Sequence, residues 1–310
     1  MSIPNFGSVV GAAALLWCAQ GGAAGKPATK PAASKPAASK PSSSQPAAVA
    51  PTAPWPKLDT RSATELGQAI DSLKRTPTPE GVDTMIETIV GFGKGAVPYL
   101  YESLSRQKVA PADELSEEAN RLVKALDAAV KSDDGPRLVG DCTNRNALVR
   151  RFALRKVGEY TTAEGTAIAK KALADPDEEA RFEAALTCAS LGSTDGLEVL
   201  RKAARDAWPL QGKRIRAAIE RHRSVEATQK IIPGLKSKDW QDICAALRLL
   251  AGWGVRESAG EAGQFLDTTD NRIKENAINA LRGIVDREPP IERLSAFDLA
   301  EQAIAWKKKI

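Results

Sequence analysis

From residue 58 to the C-terminus, apolar positions recur at three- and four-residue intervals, without the strict alternation of a half-buried strand. Ala and Leu dominate these stretches, and Gly or Pro falls mainly at the breaks between them. The pattern predicts helices throughout, and it repeats. Five stretches line up: VRRFALRKVGEY from Val149, ARFEAALTCASLG from Ala180, KRIRAAIERH from Lys213, QDICAALRLLAGWG from Gln241 and IKENAINALRGIV from Ile273. Each has a central pair (Ala153-Leu154, Ala184-Ala185, Ala217-Ala218, Ala245-Ala246, Ala277-Ile278), and the pairs are spaced by 31, 33, 28 and 32 residues. A second apolar stretch follows each of the first four: TAIAKKAL, LEVLRKAA, QKIIPGL and AGEAGQFL.

Two helices in about 31 residues is the unit of an α-solenoid. One unit cannot bury its apolar stripe alone, so neighbours stack and share a continuous core, and alanines at matched positions let them approach closely. Upstream, PEGVDTMIETIVGFGKGAVPYLYESL predicts a helix, a glycine break and a second helix beginning near Ala96, and ELSEEANRLVKALDAAVKSDDG predicts another. Downstream, LSAFDLAEQAIAWKKKI predicts a capping helix, with Lys307, Lys308 and Lys309 at the negative end of its dipole. The expected class is all-α, a single curved array of about fourteen helices over 58–310. In Asp175-Pro176-Asp177-Glu178, Asp175 reads as an N-cap, Pro176 as the first helical residue and Glu178 as an acid three residues after the cap. Asp239-Trp240-Gln241-Asp242 repeats the cap and the later acid.

DPDEEARFEAALTCASLGSTDGLEVLRKAA resembles a HEAT repeat of the kind found in the HEAT-like repeats of phycobilisome lyases. The resemblance is clearest over 145–286. It implies an Asp in the inter-helix turn and an Arg six residues later that together bridge adjacent repeats; Asp175 and Arg181 match. Other units match in part. Arg150 and Arg214 keep the arginine, with Asn144 and Trp208 in the acid's place; the fifth unit has Lys274 with Thr268, and the fourth has Asp242 where the arginine would be. The resemblance further implies that second helices line the inner surface. There Lys170-Lys171 and Arg201-Lys202, 31 residues apart, would form a basic row.

Val9 to Ala19, VVGAAALLWCA, is an apolar run short of the roughly 20 residues a membrane span needs. It suits a signal-peptide core, with cleavage after Ala24 in GGAAG, so 1–24 reads as an export signal. Leu15-Leu16-Trp17-Cys18 also resembles a lipobox, which would lipidate Cys18, although Trp17 stands where a small residue belongs and the run has no preceding Lys or Arg. An uncleaved anchor and a cytoplasmic protein with an apolar start are the other readings. Residues 25–57, rich in Lys, Pro, Ala and Ser, read as a disordered, polyproline-like spacer reaching on the order of 100 Å. The protein is therefore expected to be exported, periplasmic or extracellular, with membrane contact only through its N-terminus.

Charge changes the picture once it is divided. The chain carries 44 basic and 39 acidic residues, but residues 1–57 hold five lysines and no acid, so the remainder is balanced at 39 of each. A neutral array behind an export signal argues against a nucleic-acid partner. Catalytic chemistry has little material. His222 is the only histidine, which rules out His-cluster metal sites, and it sits in RIRAAIERHR as a helix-surface residue. Cys18, Cys142, Cys188 and Cys244 lack metal or redox spacing, and the last two fall among Ala and Leu as core thiols. Gly91-Phe92-Gly93-Lys94-Gly95 lacks the strand and the Lys-Ser/Thr ending of a phosphate loop and reads as a helix turn. Two basic clusters, Arg145 to Lys156 and Lys213 to Arg223, fall on first helices and read as solvated faces balanced by nearby acids.

These observations favour a non-enzymatic scaffold that binds an unknown protein partner and needs no cofactor or metal. Its candidate binding residues are Lys170, Lys171, Arg201, Lys202 and Trp208; Trp240 and Trp253, like Trp208, fall at predicted turns or helix ends. The alternatives are a polyanion binder of the HEAT-like class, testable through salt-dependent DNA binding, and a lyase-type enzyme subunit, which fold analogy alone suggests.

Overall fold

The computed structural model describes residues 54–111, 114–162 and 164–310. The expected signal 1–24, Cys18 and the spacer up to residue 53 lie outside them. The described residues contain fifteen α-helices and no strand. Ahead of the repeats come α1 (Thr60–Arg75), α2 (Pro79–Val90), α3 (Val97–Ser105), α4 (Glu117–Ala129) and α5 (Gly135–Asp141). The five aligned stretches are α6 (Ala147–Glu159), α8 (Glu178–Ser190), α10 (Trp208–Ile219), α12 (Trp240–Trp253) and α14 (Asn271–Leu281). Their partners are α7 (Gly165–Ala172), α9 (Leu197–Asp206), α11 (Val225–Ile231), α13 (Ala259–Gly263) and α15 (Ala296–Lys309). The α-solenoid read from the pattern is the fold.

Several helices start where a short polar side chain satisfies their free amides. Asn146 caps α6, Ser224 caps α11, Asp239 caps α12 and Asp270 caps α14. Ser295 and Asp298 form a reciprocal capping box at α15. At α8 the expected start shifts by two residues. Asp177, not Asp175, is the cap and accepts from the Ala180 amide at 2.8 Å, while Pro176 stays in the turn. Asp175 is occupied elsewhere: it accepts the Asp177 amide and, from the preceding repeat, the Arg150 guanidinium.

First helices pack directly on one another in the order α6, α8, α10, α12, α14, and α9 packs on α8, α10 and α12. Consequently α8 is enclosed on nearly every side, and Ala180 and every residue from Phe182 to Ala189 are buried. Two apolar cores meet on this helix. One runs from Leu66 through Ala184 and the other from Phe182 through Trp306. Gly158 of α6 marks a close approach of α6 to α8: a Cβ there would lie 3.1 Å from the Thr187 backbone. At the far end, α14 runs into a π-helical turn, Arg282–Asp286, where Gly283 fits beneath the Ala251 carbonyl. The chain leaves that turn through Arg287 in the left-handed region, φ 59°.

The last helix caps the array as expected. Trp306 is buried under it, Lys307 pairs with Asp267, and Lys309 holds Asp286 at 2.6 Å. At the other end, Trp55 belongs to the stretch assigned to the spacer, yet it packs on the array. Its indole N–H donates to Asp141 at 2.9 Å, its ring meets Tyr101 edge-on, and the Arg137 guanidinium lies over it.

Candidate functional site

The basic row expected on second helices is present but already compensated. Lys170 of α7 pairs with Asp195 at 2.8 Å, Arg201 of α9 with Glu198 at 2.7 Å, and Lys202 with Glu178 at 2.7 Å. Lys171 is exposed on α7. Trp208 is half-buried at the start of α10, stacked under the guanidinium groups of Arg216 and Arg248. Trp253 is fully buried, and Trp240 carries the Arg272 guanidinium over its ring. His222 is exposed with Nε2 3.0 Å from the Ser190 carbonyl oxygen, a surface contact. Cys142, Cys188 and Cys244 are buried free thiols; burial pushes Cys188 up to about 11 and raises the other two as well. Among the described residues no group of His, Cys, Asp or Glu could hold a metal ion, and no helix is long and apolar enough to cross a membrane.

Asp175 and Arg181 do not bridge repeats together. Asp175 takes a two-pronged bond from Arg150 at 2.7 and 2.6 Å, and both side chains are about nine-tenths buried. Arg150 also donates to the Asn144 and Arg145 carbonyls, tying its own turn to the next repeat. Arg181 makes the equivalent bonds to the Asp175 and Pro176 carbonyls. Trp208 stands where the next acid would be, so the rung stops there.

Cavities that span consecutive repeats lie on the first-helix face. One of about 290 Å³ is walled by α4, α6 and α8, with Leu115, Val123, Leu148 and Phe152 on its apolar side. A second, about 180 Å³, adjoins it across α6, α8 and α10, and Arg155, Glu183 and Arg214 line both. Residues set aside as solvated charge become groove walls here. Arg155 grips Asp127 at 2.9 and 3.1 Å and lies over Phe152. Lys156 bonds Asp127 at 2.8 Å and Glu159 at 2.6 Å. Arg151 clasps Asp177 through two 2.6 Å bonds, and Arg214 holds Glu183 Oε1 at 2.5 Å.

These four cations are therefore all engaged, facing the carboxylates of Asp127, Glu159, Asp177, Glu179 and Glu183. Two carboxylate oxygens are left over. Glu179 Oε2 and Glu183 Oε2 are buried and have no hydrogen-bond partner among the described residues. Burial raises the Glu179 carboxyl above its ordinary value; the Arg151 charge pulls it down and Glu183 pushes it up further. Burial acts on Asp177 in the same direction, but the Arg151 bond and the Ala180 amide outweigh it and its pKa falls.

Further along the same face, a cavity of about 530 Å³ beside α10, α12 and the π-turn is lined by Arg221, Arg223 and Arg287 together with Glu220 and Glu288. Arg223 donates to the Gly254, Gly283 and Ile284 carbonyls. No carboxylate pairs with these three arginines among the described residues. Sequence alone marked both basic clusters but could not find the groove, because Arg151, Arg155 and Lys156 of α6 meet acids from α4 and the turn before α8, and Arg214 of α10 meets Glu183 of α8.

Residues 141–220, from the end of α5 to just past α10, match the family model of HEAT repeats. Two crystal structures of engineered proteins are similar. The first is 19% identical with a TM-score of 0.43, covering 80% of this chain and 79% of that one. The second is 19% identical with a TM-score of 0.29, covering 74% of this chain and 99% of that one. No curated protein matches the sequence.

Proposed function

The chain carries HEAT repeats, and on that premise we propose that it is a non-enzymatic interaction scaffold whose partner protein binds along the first-helix face. One observation carries the reading: adjoining cavities cross α4, α6, α8 and α10 and share Arg155, Glu183 and Arg214, so consecutive repeats build one surface. Ion pairs hold its walls in place, and a preformed surface limits the ordering cost of association. The groove walls carry both signs, with Arg155, Glu183 and Arg214 in the shared section and Arg221, Arg223 and Arg287 beside Glu220 and Glu288 further on, which favours a partner whose surface also carries both signs.

The same reading places the array outside the cytoplasm, delivered by residues 1–24 and held on the spacer 25–53. In-cell crosslinking with mass spectrometry tests the binding role. Crosslinks from one partner should fall on α6, α8 and α10, and a map confined to α7 and α9 would refute the assignment of the face. Cell fractionation with N-terminal sequencing tests delivery, and an intact N-terminus in the cytosol would refute it. The arginine-rich end favours a polyanion as the second reading, and duplex DNA binding that weakens steeply with salt would support it.

A further inference from the structure

Past α8 the first-helix groove continues into two cavities whose charge differs from that of its first section. Arg221 lines both the cavity of about 180 Å³ and that of about 530 Å³, and Ala251 joins the latter to one of about 640 Å³ between α10, α12 and α14. In this last cavity Lys213, Arg216, Arg248 and Arg293 stand against Glu275 and Glu292. Together the 530 and 640 Å³ cavities are lined by seven basic and four acidic side chains. One of those acids, Glu288, is already taken by Arg282 at 2.8 Å. None of the seven cations lies within ion-pair distance of an acid among the described residues. In the α6–α8 section, by contrast, Arg151, Arg155, Lys156 and Arg214 each hold a carboxylate.

Several of these cations are fixed in place without losing their charge. The Gly254, Gly283 and Ile284 carbonyls hold Arg223, and the Ala204 carbonyl and Asn276 hold Arg248 at 2.7 and 3.1 Å. Arg216 and Arg248 share the Trp208 ring, at 5.5 and 5.0 Å from its centroid. Lys213, Arg221, Arg287 and Arg293 are exposed at the rims. Burial lowers the pKa of Arg223 and of Arg248, and the Arg287 charge lowers that of Arg223 further. Cations held near one another without an acid gain from an incoming carboxylate.

We propose that the α10–α12–α14 section of the groove receives an acidic segment of the partner polypeptide, with its carboxylates on Lys213, Arg221, Arg287 and Arg293. The inference rests on reading this face as the binding groove and adds the charge of the segment lying at its C-terminal end. Glu220, Glu275, Glu288 and Glu292 interrupt the basic lining, so spaced acids fit it better than the unbroken phosphates of a duplex. Pro209, Pro290 and Ile291 add apolar wall that peptide side chains can cover.

The test titrates the full chain into fluorescein-labelled (Glu-Ser)4 peptide, with (Gln-Ser)4 peptide and a duplex DNA of 12 base pairs, followed by anisotropy; these probe lengths are of the order of about one groove section. The (Glu-Ser)4 peptide should bind and (Gln-Ser)4 should not. Lys213→Gln, Arg221→Gln, Arg287→Gln and Arg293→Gln should each weaken (Glu-Ser)4 by about two- to fivefold, as for exposed ion pairs, and all four together by at least about tenfold. Lys171→Gln, on a second helix, should change nothing. All four substituted residues are exposed and hold no acid, so the fold should survive; if the quadruple variant did not fold, the pairs Lys213→Gln with Arg293→Gln and Arg221→Gln with Arg287→Gln would decide. Binding that survives these substitutions would place the peptide on the lysines of residues 1–57 and overturn the proposal. Equal binding of (Gln-Ser)4, or tighter binding of the duplex that the same substitutions abolish, would overturn it too. So would the absence of (Glu-Ser)4 binding; crosslinks that still mapped a partner to the groove would then leave the binding role standing and refute only the acidic segment.

Discussion

Replacing Arg150 with Ala is the sharpest test of how the repeats are held together. Arg150 leaves α6 and reaches Asp175 in the turn before α8, with both bonds short and the side chains 12% and 8% exposed. Asp175 raises the Arg150 pKa chiefly through that hydrogen bond, so the pair is coupled and not merely adjacent. Its removal leaves the Asp175 carboxylate buried with only the Asp177 amide, and it frees the Asn144 and Arg145 carbonyls. Breaking one side of a buried pair costs about 3–5 kcal/mol. For an array of this length that is a fall in Tm of roughly 6–20 °C. Urea denaturation and calorimetry measure it, with hydrogen exchange across α6 and α8 showing whether the loss is local, as a solenoid's near-neighbour energetics requires. The double variant Arg150→Met with Asp175→Leu should recover most of the loss, because the charge left unpaired is gone. A loss from Arg150→Ala within about 0.5 kcal/mol, the range of an ordinary surface change, would refute the reasoning.

Four further outcomes follow from the geometry. Gly283→Ala should destabilise by about 1–3 kcal/mol, because a Cβ there overlaps the Ala251 carbonyl, a backbone group that cannot swing away; thermal unfolding measures it. Folded Glu179 keeps its proton above the ordinary carboxyl value of 4.5, so the folded state binds more protons and this group lowers stability as pH rises through that window; the wild type minus Glu179→Gln difference should show that slope and would be flat if Glu179 titrated normally. Lys170→Glu and Arg201→Glu should leave partner affinity unchanged, since both lie on second helices and already hold acids, and a large loss in a pull-down would return binding to that face. Cys142, Cys188 and Cys244 should resist a thiol reagent until denaturant is added, and rapid labelling of the native protein would contradict their burial.

The sequence by itself determined the fold class and the repeat phase. Apolar spacing and matched alanines are local signals, and they placed α6, α8, α10, α12 and α14 correctly because a helix's buried stripe is written at its own periodicity. It also gave the cap at Asp239 and the terminal helix. What it could not give are contacts between repeats. Asp175 was legible as a turn acid, but its partner Arg150 is 25 residues away and its role as a cap passed to Asp177. The Arg and Lys residues of α6 read as a solvated face, since the acids that bury them, Asp127 and Asp177, are supplied by α4 and the turn before α8. Trp55 looked like spacer until Tyr101 and Asp141 closed on it. The described residues hold fifteen helices against about fourteen expected, and α5, seven residues long, carries too few residues to show a period. Which face forms the groove is a property of how repeats stack. Stacking geometry depends on the closest approach of pairs such as Gly158 and Thr187, a distance set in space and not along the chain.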